Sequence, residues 1–585
     1  MKGTKAIINM AKINLSKAHT ASYDGFEGID STDILSGKGG IKSLTDLWIR
    51  PDGALERRDG FSPFTELPGE PRAVFQISED TVLALIGCFV YSLDLSSHTC
   101  KQLSMVGTGQ GEGSFFSFNG SVYLLDGAQL YYYNNGYFLK AEGYVPLYGK
   151  DWHPTKGGEV YEPLNMLSSR MRVSYKLDQS GIRTFILPVK SDSLDAVTVN
   201  GKEAVINDYH LTDDYVTIIS DVENEEGDVV TFYVTIGDVA AGRHVLTVCK
   251  EASAYGDGSL GNERVSVAFF KGDDPNLIYP SSPIDEEEFE ESKKVYGNLT
   301  RLYVMRSGYI HVNDGSGSVL DVCQKDDGLM VFTADRAFML RTFSDGRSTL
   351  VRVSLGTGCS SPRGATISDD TPITVSYYGI FKWDPVSYEE GEYRASCISQ
   401  PIRELLNPSF FTSATAHHYR KRGELWFSDP SDSGGKVFIY SIDRDAWFCF
   451  SGIHADHFLE HNGEPGFIEG KTVYFFASDA VGDLTDDGER AVCSRLESGM
   501  ISFGGPNERK KLSRCLIRTS PSATVTLTVT DAEGNSSRLE LTDGSGERLG
   551  YIEKRLKCKR SRHFSFTLEA EGKAVIYGIT LIATD

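Results

Sequence analysis

Three short apolar runs, Gly328–Phe332 (GLMVF), Arg336–Thr342 (RAFMLRT) and Thr349–Ser354 (TLVRVS), lie close together and are separated by Asp/Gly and Ser/Gly punctuation. A Gly-Thr-Gly-Cys turn at Gly356–Cys359 closes the set. Strands of this length, broken by residues that tolerate positive φ, encode a small antiparallel sheet. The same rhythm recurs at Arg72–Ile77, Thr81–Ile86 and Phe89–Leu93, and again at Gly113–Phe118, Ser121–Leu125 and Gln129–Tyr133, where Asn119-Gly120 is a strong hairpin signal. Repetition of one small sheet predicts an all-β fold, a β-propeller of about 5–7 blades. The 59 Gly, 31 Phe and 28 Tyr agree with a turn-rich, aromatic-rich chain in which few segments have helical periodicity.

The rhythm changes along the 585 residues, a length that calls for ~3–4 domains. Residues 1–65 are expected to be an irregular lead-in with one hairpin, Leu47–Arg50 against Ala54–Arg58 across Pro51-Asp52-Gly53. Trp48 and Phe61 are expected in the core. Residues 66–158 hold the first blades. Residues 159–250 read as an inserted β-sandwich: strands at Met171–Tyr175, Arg183–Pro188, Ala196–Val199, Tyr215–Ser220, Val229–Ile236 and His244–Val248, with tight turns at Asn200-Gly201 and Glu226-Gly227-Asp228. Residues 251–490 hold the remaining blades, with strands at Leu302–Val304, Tyr309–Val312, Ile373–Ser376, Glu424–Phe427, Val437–Ser441 and Thr472–Ala477, and a helical turn at Ile402–Leu406. Residues 491–585 form a C-terminal β-domain with strands at Val525–Thr530, Ser537–Leu541, His563–Leu568 and Ala574–Ile582.

The net charge of −22 argues against a general nucleic-acid-coating surface, because phosphate binding needs clustered Lys and Arg. The charge is unevenly spread. From Glu497 to Asp585 there are 14 Lys+Arg and 11 Asp+Glu, a net of +3, so the rest carries −25 (−22 less +3). Arg509, Lys510, Lys511, Lys554, Arg555, Lys557, Lys559, Arg560 and Arg562 make the basic part a candidate docking face; a guarded edge strand would look the same. Ten scattered cysteines without a C-x-x-C pair do not spell a zinc site and fit buried thiols in a reducing cytoplasm. The N-terminus lacks a signal-peptide core, and no run reaches the ~18 apolar residues that span a bilayer. A soluble product made in the cytoplasm is therefore expected.

Catalytic chemistry finds little purchase. His454, His457 and His461 with Asp456 and Glu460 are the only metal-like spacing, and an inter-blade surface loop is the expected setting. Ser441–Trp447 (SIDRDAW) is similar to the Asp-box turn of sialidase-like propellers, which is structural there. Asp326-Asp327 and Asp486-Asp487-Gly488 are read as tight turns rather than calcium ligands. No G-x-S-x-G or phosphate-binding glycine loop is present. Tyr131-Tyr132-Tyr133 and Tyr377-Tyr378 have rings that stack on sugars or bases elsewhere, and core packing is the expectation here. No catalytic, cofactor-binding or metal-binding residue is expected, nor any cofactor.

The order lead-in hairpin, first blades, inserted sandwich, remaining blades, terminal β-domain resembles the tail nozzle family of short-tailed bacteriophages, also called tail tubular protein B. It is similar too to packaged-DNA stabilisation (head-completion) proteins at the equivalent tail position. The matching stretches are Asp52–Phe61 (DGALERRDGF), Glu162–Leu167 (EPLNML), Asp327-Gly328 with Val331-Phe332-Thr333, Gly358–Arg363 (GCSSPR) and Arg555–Arg560 (RLKCKR). The resemblance implies a non-enzymatic structural protein of the virion tail, a homo-oligomeric ring, a hexamer by family analogy, around the DNA channel. Its implied partners are a portal-proximal adaptor or tail tube protein, tail fibres or spikes, and passing double-stranded DNA bound without sequence specificity. Such a ring retains packaged DNA and lets it be ejected. An acidic lining would repel phosphate and permit sliding, and the acidic run Asp285, Glu286, Glu287, Glu288, Glu290 and Glu291 is the candidate DNA-channel loop; a solvated outer loop fits equally. The alternative reading is a glycan-binding or glycan-cleaving propeller, either a receptor-binding tail protein or a sialidase-like hydrolase.

Overall fold

The computed structural model describes residues 18–584 except 25, 34–39, 108–112, 128, 219–222, 237–247, 256–263, 272–273, 313–316, 326–327, 343–347, 387–392, 478–479, 481, 486–487, 504, 506, 521–523, 543–549 and 572–574. The fold is an all-β propeller. Among the described residues seven four-stranded antiparallel blades follow one another. Blade 1 is Ala73–Gln76, Thr81–Ile86, Phe89–Asp94 and Thr99–Met105; blade 2 is Ser114–Phe118, Ser121–Leu125, Leu130–Asn134 and Tyr137–Lys140. Blade 3 is Val248–Tyr255, Arg264–Lys271, Leu277–Pro280 and Ile310–His311, and blade 4 is Asp321–Lys325, Gly328–Phe332, Arg336–Thr342 and Ser348–Leu355. Blade 5 runs from Ala365–Ser368 to Tyr393–Cys397, and blade 6 from Thr415–Tyr419 to Ala446–Phe450. Blade 7 is His457–His461, Glu464–Glu469 and Thr472–Ala477, completed by Gly60–Glu66 from near the N-terminus.

That last strand closes the ring. Gly60–Glu66 pairs with Thr472–Ala477, and the core below it joins Leu67, Val82, Ala84, Leu93 and Leu95 to Leu459, Ile468 and Val473. Gln76 of blade 1 spans the seam in both senses: its Nε2 donates to Glu460 O at 2.5 Å and its Oε1 accepts from Glu460 N at 3.2 Å. Local turns follow their residues. Asn119-Gly120 and Asn200-Gly201 have φ of 49° and 75°, and of 49° and 74°, the mirror-image turns that match strand twist.

Between blades 2 and 3 stands an insert of two sheets. One is Leu147–Trp152, Arg170–Lys176, Val229–Ile236, Ser191–Val199 and Lys202–Glu203; the other is Thr184–Ile186, Tyr215–Ile218 and Tyr209–Leu211. The two enclose a core of their own around Met171, Tyr175, Phe185, Val216, Phe232 and Val234. Val248–Tyr255, the first strand of blade 3, follows directly; the expected strand His244–Val248 lies mostly outside the described residues.

The lead-in is not a separate irregular segment. Its hairpin forms as expected, with Leu47↔Arg57 pairing and Gly53 at φ 82°, but His19–Asp24, Ile41–Thr45 and the hairpin are all strands of the terminal sandwich. One of its sheets joins Leu47–Ile49, Leu55–Arg57, Val575–Thr584, Lys510–Thr519 and Gly550–Arg555, with His19–Asp24 and Arg560-Ser561 attached. The other joins Ile41–Thr45, Ser494–Ser498, Phe564–Glu571, Thr524–Asp531 and Ser536–Thr542, and continues without a break into blade 6 through Ile41–Thr45 and Ala446–Phe450. One hydrophobic core therefore runs from Trp426 and Phe438 of blade 6 to Ile517, Val529 and Leu568.

Three expectations are corrected. Leu302–Val304 is no strand: it is a buried irregular segment whose Leu302 and Val304 carbonyls accept from the Tyr144 and Met166 amides across the propeller–insert junction. Asp285–Glu291 is no loop: Asp285 caps a helix, α1 (Glu286–Tyr296), accepting from the Glu287 and Glu288 amides. Tyr377 and Tyr378 are not core. They are the two-residue turn of a blade 5 hairpin, 50% and 60% exposed, because Ser376 pairs with Gly379.

Candidate functional site

Three of the stretches that carry the family resemblance, Asp52–Phe61, Glu162–Leu167 and Gly358–Arg363, fold into joints. In Asp52–Phe61, Arg58 is fully buried, with its guanidinium against two buried carboxylates: Nε–Asp46 at 2.6 Å and Nη1–Asp483 at 2.7 Å. Nη2 also donates to Asp483 at 2.7 Å and to Ser451 O at 3.2 Å. Asp46 accepts from the Ser451 amide and hydroxyl, and Arg490 reaches Asp483 from the surface at 2.7 Å. Burial pulls the Arg58 pKa down; the hydrogen bonds to Asp483 and the attraction of Asp46 outweigh it, so the group is held raised and charged. This cluster ties the lead-in, the end of blade 6, the Gly482–Ala491 hairpin and the terminal sandwich together. The doublet Arg57-Arg58 was visible in the sequence; which arginine lies between the two carboxylates was not.

The second joint is Asn165, from Glu162–Leu167. Its Nδ2 donates to Tyr144 O at 2.8 Å and Leu302 O at 2.9 Å, and its Oδ1 accepts from the Val304 amide at 2.9 Å and the Leu167 amide at 3.1 Å. Every polar valence of a buried amide is thereby used. Helix α1 braces the same junction. Phe289 is buried beside Tyr144 and Tyr303, Glu288 bonds the buried Arg172 at 3.0 Å, and Glu286 pairs with Arg301. Glu290 and Glu291 pair with Lys293 and Lys294 one turn on. Four of the six carboxylates of the acidic run are thus held by cations of the insert, of blade 3 and of their own helix, and the run is a capped helix rather than a loop. Gly358 and Ser360-Ser361 make a third joint: the Ser361 hydroxyl donates to Ala414 O at 2.6 Å, between blades 5 and 6.

The predicted basic residues do come together. Strand pairing sets Lys511 opposite Arg560 and Arg514 opposite Arg555. Antiparallel partners share a face at ~5 Å, so two segments more than forty residues apart form one basic surface. Arg509, Lys554, Lys557, Lys559 and Arg562 are exposed. Lys510 does not belong there: it is buried and paired with Glu508 at 2.8 Å. Arg514 also engages Glu553 at 2.8 Å. The strand Gly550–Arg555 is the sheet's edge, so the charges guard it as well.

The insert has the opposite sign. Its residues 147–236 carry 8 Lys+Arg and 15 Asp+Glu, a net of −7. Backbone bonds from Gly181 N to Asn224 O, Leu177 N to Asp228 O and Gly227 N to Leu177 O knit two turns into one end. Asp178, Glu223, Glu225, Glu226 and Asp228 crowd there.

The metal-like histidines are dispersed. His457–His461 is a strand rather than a loop, and its extension sets the two imidazoles about 13 Å apart along one face. His457 is partly buried, and its desolvation together with nearby Arg363 pushes its pKa down to about 4; His461 turns to Asp80, and His454 lies against Gly435. His417 of blade 6 is likewise pushed down to about 4 by burial. Among the described residues no group of three or more His, Cys, Asp or Glu converges on a common point. Asp326, Asp327, Asp486 and Asp487 lie outside the described residues. The Ser441–Trp447 stretch is a plain turn held by the Tyr440 hydroxyl on Asp445. Of the tyrosine run, Tyr131 is buried and accepts from the Gly107 amide. Glu424 begins a strand with an apolar centre (ELWFS), a pattern that does not by itself mark a buried carboxyl. It is sealed inside blade 6, burial raises its pKa to about 7, and its carboxylate accepts from the Trp426 indole at 3.0 Å.

No protein-family model and no curated protein matches the chain. Solved structures with some likeness include an exo-beta-1,3-galactanase from Phanerochaete chrysosporium with beta-1,3-galactotriose, at 8% identity over 90% of this chain and 100% of that one, TM-score 0.21. A protein from Lactobacillus plantarum is 9% identical over 85% of this chain and 99% of that one, TM-score 0.30. At these scores neither bears on what this chain does. No described helix is long and apolar enough to cross a membrane.

Proposed function

We propose that the chain is a structural component of a bacteriophage tail, a nozzle or head-completion protein that assembles as a ring around the DNA channel, retains packaged DNA and allows its ejection. One observation carries this reading: three of the five sequence stretches whose order makes the resemblance are joints that fasten lead-in, blades, insert and terminal sandwich. Arg58 with Asp46 and Asp483, Asn165 across four backbone groups, and Gly358–Arg363 between blades are selected by architecture, so the likeness is one of assembly plan. A chain that invests its buried charge in rigid joints suits a load-bearing ring. Its acidic bulk suits a channel wall that does not hold phosphate. Portal-proximal and fibre partners belong to the same proposal.

Electron microscopy of the assembled virion, with copy number from mass measurement, tests it. Density for several copies around the tail axis is the expected result. Single isolated copies, or turnover of a glycan by the purified protein, would replace this reading with the glycan-active propeller.

A further inference from the structure

The insert and the terminal sandwich stand on opposite sides of the propeller. The insert emerges between blades 2 and 3, and the terminal sandwich continues outward from blade 6. Blades 3, 4 and 5 separate them on one side and blades 7, 1 and 2 on the other, so they are half a turn apart. They are also opposite in charge: −7 for residues 147–236 and +3 for Glu497–Asp585. The charges are concentrated where they are exposed. Strand register gathers Lys511, Arg514, Arg555 and Arg560 on one face, and knotted turns gather Glu223, Glu225, Glu226 and Asp228 at one end.

We infer that the occupant of the basic face is a second copy of this chain, docked through the acidic end of its insert. A surface patch that met itself across a twofold axis would set like charges together, which costs several kcal/mol. The two poles of one molecule are instead complementary to each other, and a contact between them is heterologous: each copy offers its acidic pole to one neighbour and its basic pole to the next. Because the poles are half a turn apart, one copy makes both contacts without crowding. Ion pairs at such a contact set register and speed of association more than depth of binding, so assembly responds steeply to salt. The inference rests on the proposed function only in that closure of the series into a ring belongs to that reading.

Sedimentation velocity of the full chain over a range of concentrations tests it, between about 50 mM and about 500 mM salt. One variant carries Lys511→Glu, Arg514→Glu, Arg555→Glu and Arg560→Glu. A second carries Glu223→Lys, Glu225→Lys and Glu226→Lys. A third replaces the same four basic residues with Gln, and all are checked for native far-UV signal and melting. The wild type is expected to associate at low salt and weaken at least about tenfold at high salt. Each reversed variant alone should lose at least about tenfold in self-affinity, the Gln variant less, and mixing the two reversed variants should restore assembly. The mixing arm reports even if one reversal alone distorts its own surface, because restored assembly needs both folded. Wild-type assembly that is unchanged in every variant would overturn the contact while leaving the ring reading intact. A wild type that stays monomeric at every concentration and salt would overturn the contact and count against the ring as well. Basic-face reversal that abolishes binding to a duplex DNA oligomer but leaves self-association untouched would assign the face to nucleic acid and overturn the inference.

Discussion

The insert and the terminal sandwich are both two-sheet β structures hung on the same propeller, yet they are attached by opposite principles. The insert is one continuous stretch with a private core around Tyr175, Phe185 and Phe232. Its last strand returns to the start of its second: Ile236 N donates to Ser169 O at 2.7 Å. The terminal sandwich draws strands from both ends of the chain, shares a sheet with blade 6 and shares its core with blades 5, 6 and 7. Insertion at a loop leaves the host's contacts in place, whereas a shared core makes two units one cooperative body. The terminal sandwich is part of how the propeller closes; the insert is carried by it.

The comparison is broken most directly by deletion. Removing residues 494–585 should abolish cooperative unfolding, because it strips the partner of Ile41–Thr45 and opens the core at Leu496, Val525 and Leu568. Replacing residues 170–235 with a short Gly/Ser bridge should leave a cooperative melt a few degrees lower. A deletion of the insert that melts without cooperativity would show that both attachments are integral. Arg58→Ala should cost about 3–5 kcal/mol in denaturant unfolding, since it leaves Asp46 and Asp483 buried without their cation. Asn165→Ala, at the insert's joint, should cost less, about 1–3 kcal/mol, as four backbone groups lose one partner. If the two substitutions cost the same, the distinction between shared and private cores loses its energetic content.

The smallest expected effects are in pH. Glu424 holds its proton in the folded state up to about 7 while the unfolded chain releases it near 4.5, so this group lowers stability progressively as pH rises from 4.5 towards 7. Glu424→Gln should remove that decline, for a gain of about 1–3 kcal/mol at pH 8 and little change at pH 4. His417 and His457 act with the opposite sign. Their folded values near 4 lie below the unfolded 6.5, so their contribution is complete above 6.5 and is lost as pH falls towards 4. Melting temperature against pH for wild type and Glu424→Gln checks both signs in one series.

How much of this was legible varies with the physics of each part. Thr81–Ile86, Ser121–Leu125, Val229–Ile236, Gly328–Phe332 and Thr472–Ala477 are strands with the bounds the residues suggest, because period-two alternation and Asn-Gly turns act locally. Helix α1 carried local signals too: Asp285 at its cap, three glutamates in its first turn, Lys293 and Lys294 in its last and Gly297 after it. Tyr377-Tyr378 misled in the other direction, since aromatic residues in a two-residue turn face water whatever their preference.

By itself the sequence determined the all-β class, the repeated small sheet, the place of the insert, and the two basic segments at Arg509–Lys511 and Lys554–Arg562. Each follows from interactions between residues a few positions apart, or from charge that needs no partner to be counted. Only the tertiary structure decided that Gly60–Glu66 closes blade 7, that Ile41–Thr45 joins blade 6 to the terminal sandwich, and that Arg58 rather than Arg57 is sealed between Asp46 and Asp483. Apart from Arg58 with Asp46, these pairings span roughly four hundred positions of chain, and strand alternation is the same whichever partner lies alongside, so burial of a common core had to choose.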